Sequence, residues 1–214
     1  MTDAHYHRDG YATFLSLGDR EFRFYGLHPW QVQDLGEAAL LPLQEMLSAD
    51  PHAGVGEIGL DRLKEKTISP AQRAAFAAQL EIAAEFGRPV VLHGAKCWGE
   101  VVAVCRPYAG RIPAFLFHGF SRSGGLLPDI AALNGFVGVG AALLNDHAVN
   151  YRELVREVPI ERVLVETDAD YGRAVARPSP GEILCKLAEL RGMESAALEA
   201  VVDANAARFV EVLA

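Results

Sequence analysis

The sequence predicts an α/β fold of β/α-barrel type, a parallel sheet with its helices packed outside. Short apolar runs alternate with amphipathic segments along the whole chain, the pattern of a parallel sheet covered by helices. Several runs are continuously apolar, Val90-Val91-Leu92 and Val163-Leu164-Val165 among them, as a strand buried on both faces reads. Polar residues able to bind metal recur at the C-terminal ends of these runs, the end where a β/α barrel gathers its active site. Alternation by itself does not separate a closed barrel from an open doubly wound sheet.

Strands are expected near residues 2–6, 22–27, 53–58, 89–93, 113–118, 135–140 and 162–167. The clearest helix begins at Ser69-Pro70-Ala71-Gln72, an N-cap serine with proline at the first helical position and glutamine three residues on. Phe76, Leu80, Ala83 and Ala84 form its apolar stripe, and Gly87 and Pro89 stop it. Further helices are expected over 38–47, 98–105, 125–133, 151–158 and 180–190, and a tail over 194–213 in one or two pieces.

The chain has 214 residues, half of them hydrophobic, enough for one sizeable core with no dividing linker, so residues 1–214 read as a single domain. No apolar run is long enough to span a bilayer, and the start of the chain lacks the basic region and apolar stretch of a signal peptide. Cys97, Cys105 and Cys185 are odd in number and widely spaced, which fits neither a disulfide scaffold nor a zinc ribbon and suggests a reducing cytoplasm. The formal net charge of −8 excludes a nonspecific DNA coat protein, but leaves room for nucleic acid as a substrate where local cations line a cleft. Neither phosphate-cradling glycine motif is present, and Gly138-Val139-Gly140 reads as close backbone packing. No membrane and no stable protein partner is expected.

His5 and His7 close the first strand, Glu57 the third, His93 the fourth, His118 the fifth and Asp168 the last. In a strand, residues two apart share a face, so His5 and His7 can reach one ion, and Asp3 on that face could orient a ligand. Singly, each has an ordinary reading: a satisfied histidine, a Glu57–Arg62 pair, Asp168 as an N-cap. Six such residues at the same ends of strands outweigh those readings. Imidazoles and carboxylates without thiolates suit Zn²⁺, Mn²⁺ or Mg²⁺, and six ligands suit two ions about 3.5–4 Å apart bridged by one carboxylate. The chemistry implied is hydrolysis.

At these residues the chain resembles the TatD family of metal-dependent deoxyribonucleases, among the amidohydrolase-like metallohydrolases. The matching segments are Asp3-Ala4-His5-Tyr6-His7, Gly26-Leu27-His28-Pro29, Gly56-Glu57-Ile58-Gly59-Leu60-Asp61, Pro89-Val90-Val91-Leu92-His93, Phe117-His118-Gly119-Phe120-Ser121, Glu166-Thr167-Asp168 and Asn205-Ala206-Ala207-Arg208-Phe209. They fall in the family's order over nearly the whole chain. The resemblance implies a TIM-barrel-like fold and phosphodiester hydrolysis, typically of DNA from the 3′ end. It implies that His5, His7 and Asp168 hold one divalent ion and His93 and His118 the other. Glu57 would bridge them, and Asp168 would serve as base or proton shuttle.

The family usually has a long helix and a further strand between its first two motifs, whereas about twenty residues separate His7 from His28, too few for a strand–helix–strand crossover. An incomplete barrel of seven strands, or one with a rebuilt side, is therefore expected. Where the family has His-Cys-Phe, His118-Gly119-Phe120 keeps the ligand. His28, Lys96, Arg62, Lys64 and Arg122 are candidates to hold substrate, a solvated surface charge being the ordinary reading for the last three. Trp30 and Trp98 could stack on a base, although core packing is the more ordinary role; His52 and His147 read as surface or structural. Two other functions compete with a DNA or small-phosphodiester hydrolase. One is a metallohydrolase of another ester, amide, lactone or phosphoester; the other is a binding protein that kept the metal site as structure.

Overall fold

The computed structural model describes residues 1–8, 12–32, 40–64, 66–121, 124–170 and 177–214. Its strands are β1 (Thr2–His7), β2 (Ala12–Leu17), β3 (Arg20–Tyr25), β4 (Gly54–Asp61), β5 (Val90–Ala95), β6 (Phe115–Phe117), β7 (Gly135–Val139), β8 (Val163–Val165) and β9 (Ala169–Asp170). They form one sheet in the order β8-β7-β6-β5-β4-β3-β2-β1-β9, parallel except where β2 pairs antiparallel with β1 and β3. The helices are α1 (Leu41–Ala49), α2 (Pro70–Phe86), α3 (Trp98–Cys105), α4 (Leu127–Ala132), α5 (Val149–Glu157), α6 (Pro180–Arg191) and α7 (Ser195–Phe209). Of the helix expected over 38–47, residues 38 and 39 lie outside the described residues. The tail divides into α7 and a short 3-10 turn, Glu211–Leu213.

All seven expected strands are present, but the described residues form nine, which corrects the expectation of seven. β9 continues the last expected strand after a break. β2 is the substantive addition: Leu17 pairs with Arg20, so Gly18-Asp19 is a two-residue hairpin turn, with Gly18 at φ +62. The sheet is thus an incomplete TIM-barrel-like one whose side between β1 and β3 is rebuilt as an antiparallel meander. The short connection forbids a parallel crossover but accommodates hairpins.

β8 pairs with β7 and β9 with β1, so residues 163–170 link the two ends of the strand order, and the Asp168 amide donates to the His5 carbonyl at 3.0 Å. Asp3 braces the junction: its carboxylate accepts from the Thr167 amide at 2.9 Å and the Thr167 hydroxyl at 2.6 Å. Burial pushes the Asp3 pKa up to about 6.

Two apolar layers follow from the two faces of the sheet. Outside, α1–α6 pack on residues such as Val55, Leu92, Phe117 and Val165. Inside, Leu15, Phe22, Phe24, Val91, Leu116, Phe136 and Leu164 form a second cluster with Phe209 and Leu213 of the tail. Period-two alternation then dictates what stands above this inner layer. His93 is two residues beyond Val91, His118 two beyond Leu116, and Glu166 two beyond Leu164.

The caps are those the residues call for. Ser69 accepts from the Gln72 amide, and Gly87 takes the left-handed C-terminal position. The Gln72 side chain instead accepts from the Asp61 amide, and Gln79 clasps both backbone groups of Leu27, so two buried glutamines of α2 hold the ends of β3 and β4. At α6, Ser179 and Glu182 form a reciprocal capping box. Ser179→Ala is expected to cost about 1 kcal/mol. Thermal denaturation should show Tm lowered by about 2–4 °C, with metal binding unchanged. Among the described residues, no helix is long and apolar enough to cross a membrane.

Candidate active site

The C-terminal ends of the strands surround a cavity of about 400 Å³ lined by His7, His28, Glu57, His93, His118 and Asp168, with Thr13, Trp30, Asp170 and Arg177 around them. At its base lies Glu57, 5 % exposed. Its two oxygens face different imidazoles. Oε2 lies 3.5 Å from His5 Nε2 and 3.8 Å from His7 Nε2. Oε1 lies 2.6 Å from His93 Nδ1 and 3.8 Å from His118 Nε2. Asp168 Oδ1 is 3.3 Å from His7 and 3.8 Å from both His5 and His118. The six residues singled out in the sequence therefore meet in one place.

Outer partners decide which nitrogen His93 and His118 present. Asp61 Oδ2 is 2.8 Å from His93 Nε2, which holds the proton there and turns Nδ1 toward Glu57. Asp61 is itself fixed by Trp30 Nε1 and by the amides of Leu63 and Lys64. Glu166 Oε1 lies 3.1 Å from His118 Nδ1, close though poorly aligned for a hydrogen bond, and accepts from the Gly119 amide at 2.7 Å. Gly138 makes room for this carboxylate: a Cβ there would lie 2.1 Å from Glu166 Oε2. The expected close packing at Gly138 thus has a specific occupant.

The electrostatics of the cluster leave a place for cations. Burial alone would raise both carboxylates, yet the histidines hold Glu57 well below its usual range and Asp168 down at about 2. Burial alone would lower His93 and His118, but Asp61 and Glu57 lift the first to about 9, and Glu166 and Glu57 lift the second to about 10. Protons thus stand where metal charge would. Burial, aided by His118, pushes His5 the other way. His5 is fully buried and neither ring nitrogen has a hydrogen-bond partner among the described residues. A buried polar group left so costs about 1–3 kcal/mol, which coordination would relieve. Among the described residues, three groupings have possible ligand atoms within 4.8 Å of one another: His5/His7/Glu57, His5/His118/Asp168 and His28/Glu57/His93. The residues present fit divalent metal.

His28 belongs to this cluster by distance, 3.3 Å from His93 Nδ1 and 3.9 Å from Glu57 Oε1. Its own Nδ1 accepts from the Trp30 amide, so in the neutral ring Nε2 carries the proton and faces the cavity as a donor. Burial lowers its pKa to about 4, so the ring is neutral. A donor suits a substrate contact better than a ligand role.

The other candidates separate. Arg62 is paired with Glu100, Lys64 lies 5.6 Å over the Trp30 ring, and Lys96 is exposed; none lines the cavity. Arg122 lies outside the described residues. Arg177, which the sequence reading missed, does line it, 3.9 Å from Asp168 Oδ2. Trp98 is core, packed on Phe117 and Phe120, whereas Trp30 stands half exposed at the rim, against the expectation of packing for both. Asp61 and Glu166 lay within the recognised motifs without a role. Their signal was a carboxylate a few residues along the strand from, or beside, a ligand.

A family model described as TatD related DNase matches residues 3–211. A 3′-5′ ssDNA/RNA exonuclease TatD from Pectobacterium carotovorum is 32% identical over 196 residues, 86% of this chain and 75% of its own length. Its namesake from Edwardsiella piscicida is 32% identical over 147 residues, 68% of this chain, and the match spans only 56% of that protein. Among solved structures, a TatD homologue from Escherichia coli K12 superposes with a TM-score of 0.74 at 24% identity, covering 87% of this chain and 75% of its own. A TatD family hydrolase from Entamoeba histolytica gives 0.69 at 18%, covering 86% and 72%.

Proposed function

Because the chain belongs to the family of TatD-related DNases, we propose that it is a metal-dependent phosphodiesterase acting on single-stranded nucleic acid, from the 3′ end as its relatives are named. The observation that carries this reading is the division of Glu57: one oxygen toward His5 and His7, the other toward His93 and His118. In this reading His5, His7 and Asp168 hold one divalent ion, His93 and His118 a second, and Glu57 both. Zinc, manganese and magnesium all suit the donor set. Two such ions, when bound, acidify a water and neutralise charge gathering on the phosphoryl group.

The chain's own residues do the rest. Asp61 and Glu166 keep the proton of His93 and His118 on the outer nitrogen and leave the inner one as a donor of electrons. Asp168, ionised and open to the cavity, takes the proton of the attacking water. His28 Nε2–H and Arg177 hold substrate oxygens, and Trp30 offers a ring at the rim for a base. The family match supports reading residues 1–214 as one catalytic domain. A cytoplasmic location goes with this reading, since Cys97, Cys105 and Cys185 are all free.

A small-substrate metallohydrolase is the second reading. One observation favours it: among the described residues, Arg177 is the one Lys or Arg lining the cavity, in a chain of net charge −8. Elemental analysis, paired with hydrolysis of single-stranded DNA and bis-p-nitrophenyl phosphate before and after chelation, separates the two. Two metals per chain and chelator-sensitive, metal-restorable cleavage of DNA are expected. Bound metal with turnover only of amides, lactones or monoesters would favour the second. Gly138→Ala should displace the Glu166 carboxylate from His118 and lower metal affinity or activity by about 10–100-fold. Circular dichroism should remain that of the parent.

A further inference from the structure

The rebuilt strand β2 brings a residue of its own to the cavity. On β5 and β6, the site residue stands two positions after an inner apolar residue, as His93 follows Val91 and His118 follows Leu116. β2 runs the other way, so its corresponding position lies two residues before Leu15, and that residue is Thr13. Thr13 pairs with His7 on β1 and Phe24 on β3, and it lines the cavity beside His28. It is 3 % exposed, and its hydroxyl has no hydrogen-bond partner among the described residues.

A buried hydroxyl is ordinarily hydrogen-bonded. Valine would satisfy the strand equally well without an orphaned polar atom. The hydroxyl therefore calls for a partner that the described residues do not supply, and its residue lines the cavity where substrate would lie. We infer that Thr13 is a substrate-binding residue whose hydroxyl bonds an oxygen of the phosphodiester substrate, a phosphoryl oxygen or a sugar hydroxyl. This inference rests on the phosphodiesterase reading above and assigns β2 a part in specificity.

The test compares Thr13→Val, which keeps the shape and removes the hydroxyl, with Thr13→Ser, which keeps the hydroxyl. Thr13→Val should lower kcat/KM about five- to tenfold, mainly through KM, without lowering Tm; Thr13→Ser should stay near the parent. Loss on both DNA and bis-p-nitrophenyl phosphate assigns the bond to a phosphoryl oxygen, and loss on DNA alone to the sugar. Calorimetric binding of thymidine 5′-monophosphate to the metal-loaded protein gives a readout independent of turnover and should weaken by the same factor in Thr13→Val. If the parent hydrolyses no diester but this binding still depends on the hydroxyl, the functional reading fails and the subsite stands. Unchanged kcat/KM and unchanged binding in Thr13→Val, or an equal loss in Thr13→Ser, would overturn the inference.

Discussion

Glu57→Gln is expected to abolish most activity while leaving the fold in place and, on the two-metal reading proposed above, to reduce bound metal from two ions per chain to one or none. The side chain keeps its size, and it sits beneath the cavity rather than among the apolar residues that hold the sheet together. What it loses is charge and one ligand oxygen. An amide offers a weak oxygen to one imidazole pair and an N–H to the other, where the carboxylate faces both. Electrostatic stabilisation by bound metal is worth several kcal/mol in the transition state, so the loss should reach about three orders of magnitude or more. Elemental analysis and circular dichroism, run with the DNA cleavage assay, check each part. Full metal content with near-parental activity would remove Glu57 from the centre of the site.

Asp168→Asn should be nearly as damaging to turnover and much less so to metal content. Asp168 is the most open of the six residues, its side chain 45 % exposed, with the histidines holding it ionised against its burial. Asparagine keeps the shape, so the backbone turn that carries β8 into β9 is retained; Asp168 sits there at φ +51, a conformation both residues tolerate. A proton acceptor is removed, and positioned general bases contribute about 10²–10⁴-fold. Turnover should fall by that factor with Tm within a few degrees of the parent. A fall in Tm in a protein whose parent has no measurable activity would instead support a structural metal site.

Much of this molecule was legible in the order of its residues. Continuous apolar runs such as Val90-Val91-Leu92 have no polar face to show water, so they had to become inner strands. Period two places His93 and His118 over Val91 and Leu116, and their position closing apolar runs made them candidate metal-binding residues from sequence. The spacing of His7 and His28 excluded a crossover, and chain length alone decides that. The missed strand β2 had a local signal, the Gly18-Asp19 turn between two six-residue runs, but β2 itself, Ala12-Thr13-Phe14-Leu15-Ser16-Leu17, lacks a clean apolar–polar alternation.

Other parts depend on where distant side chains arrive. Nothing near Arg62, Lys64 or Lys96 in sequence says that none of them lines the cavity, or that Arg177 does. The outward turn of Arg62 is set by Glu100, 38 residues away, and Arg177 reaches Asp168 only because residues 163–170 bring β9 against β1. The two tryptophans look alike in sequence, yet Trp98 covers Gly94 in the core and Trp30 donates to Asp61 at the rim. Local periodicity determined the strands and which residues face inward, because a side chain's direction is fixed by its own backbone. The choice of which nitrogen His93 and His118 turn inward, the burial of His5 and the placing of Thr13 were decided by the tertiary structure, because each depends on groups contributed by other strands.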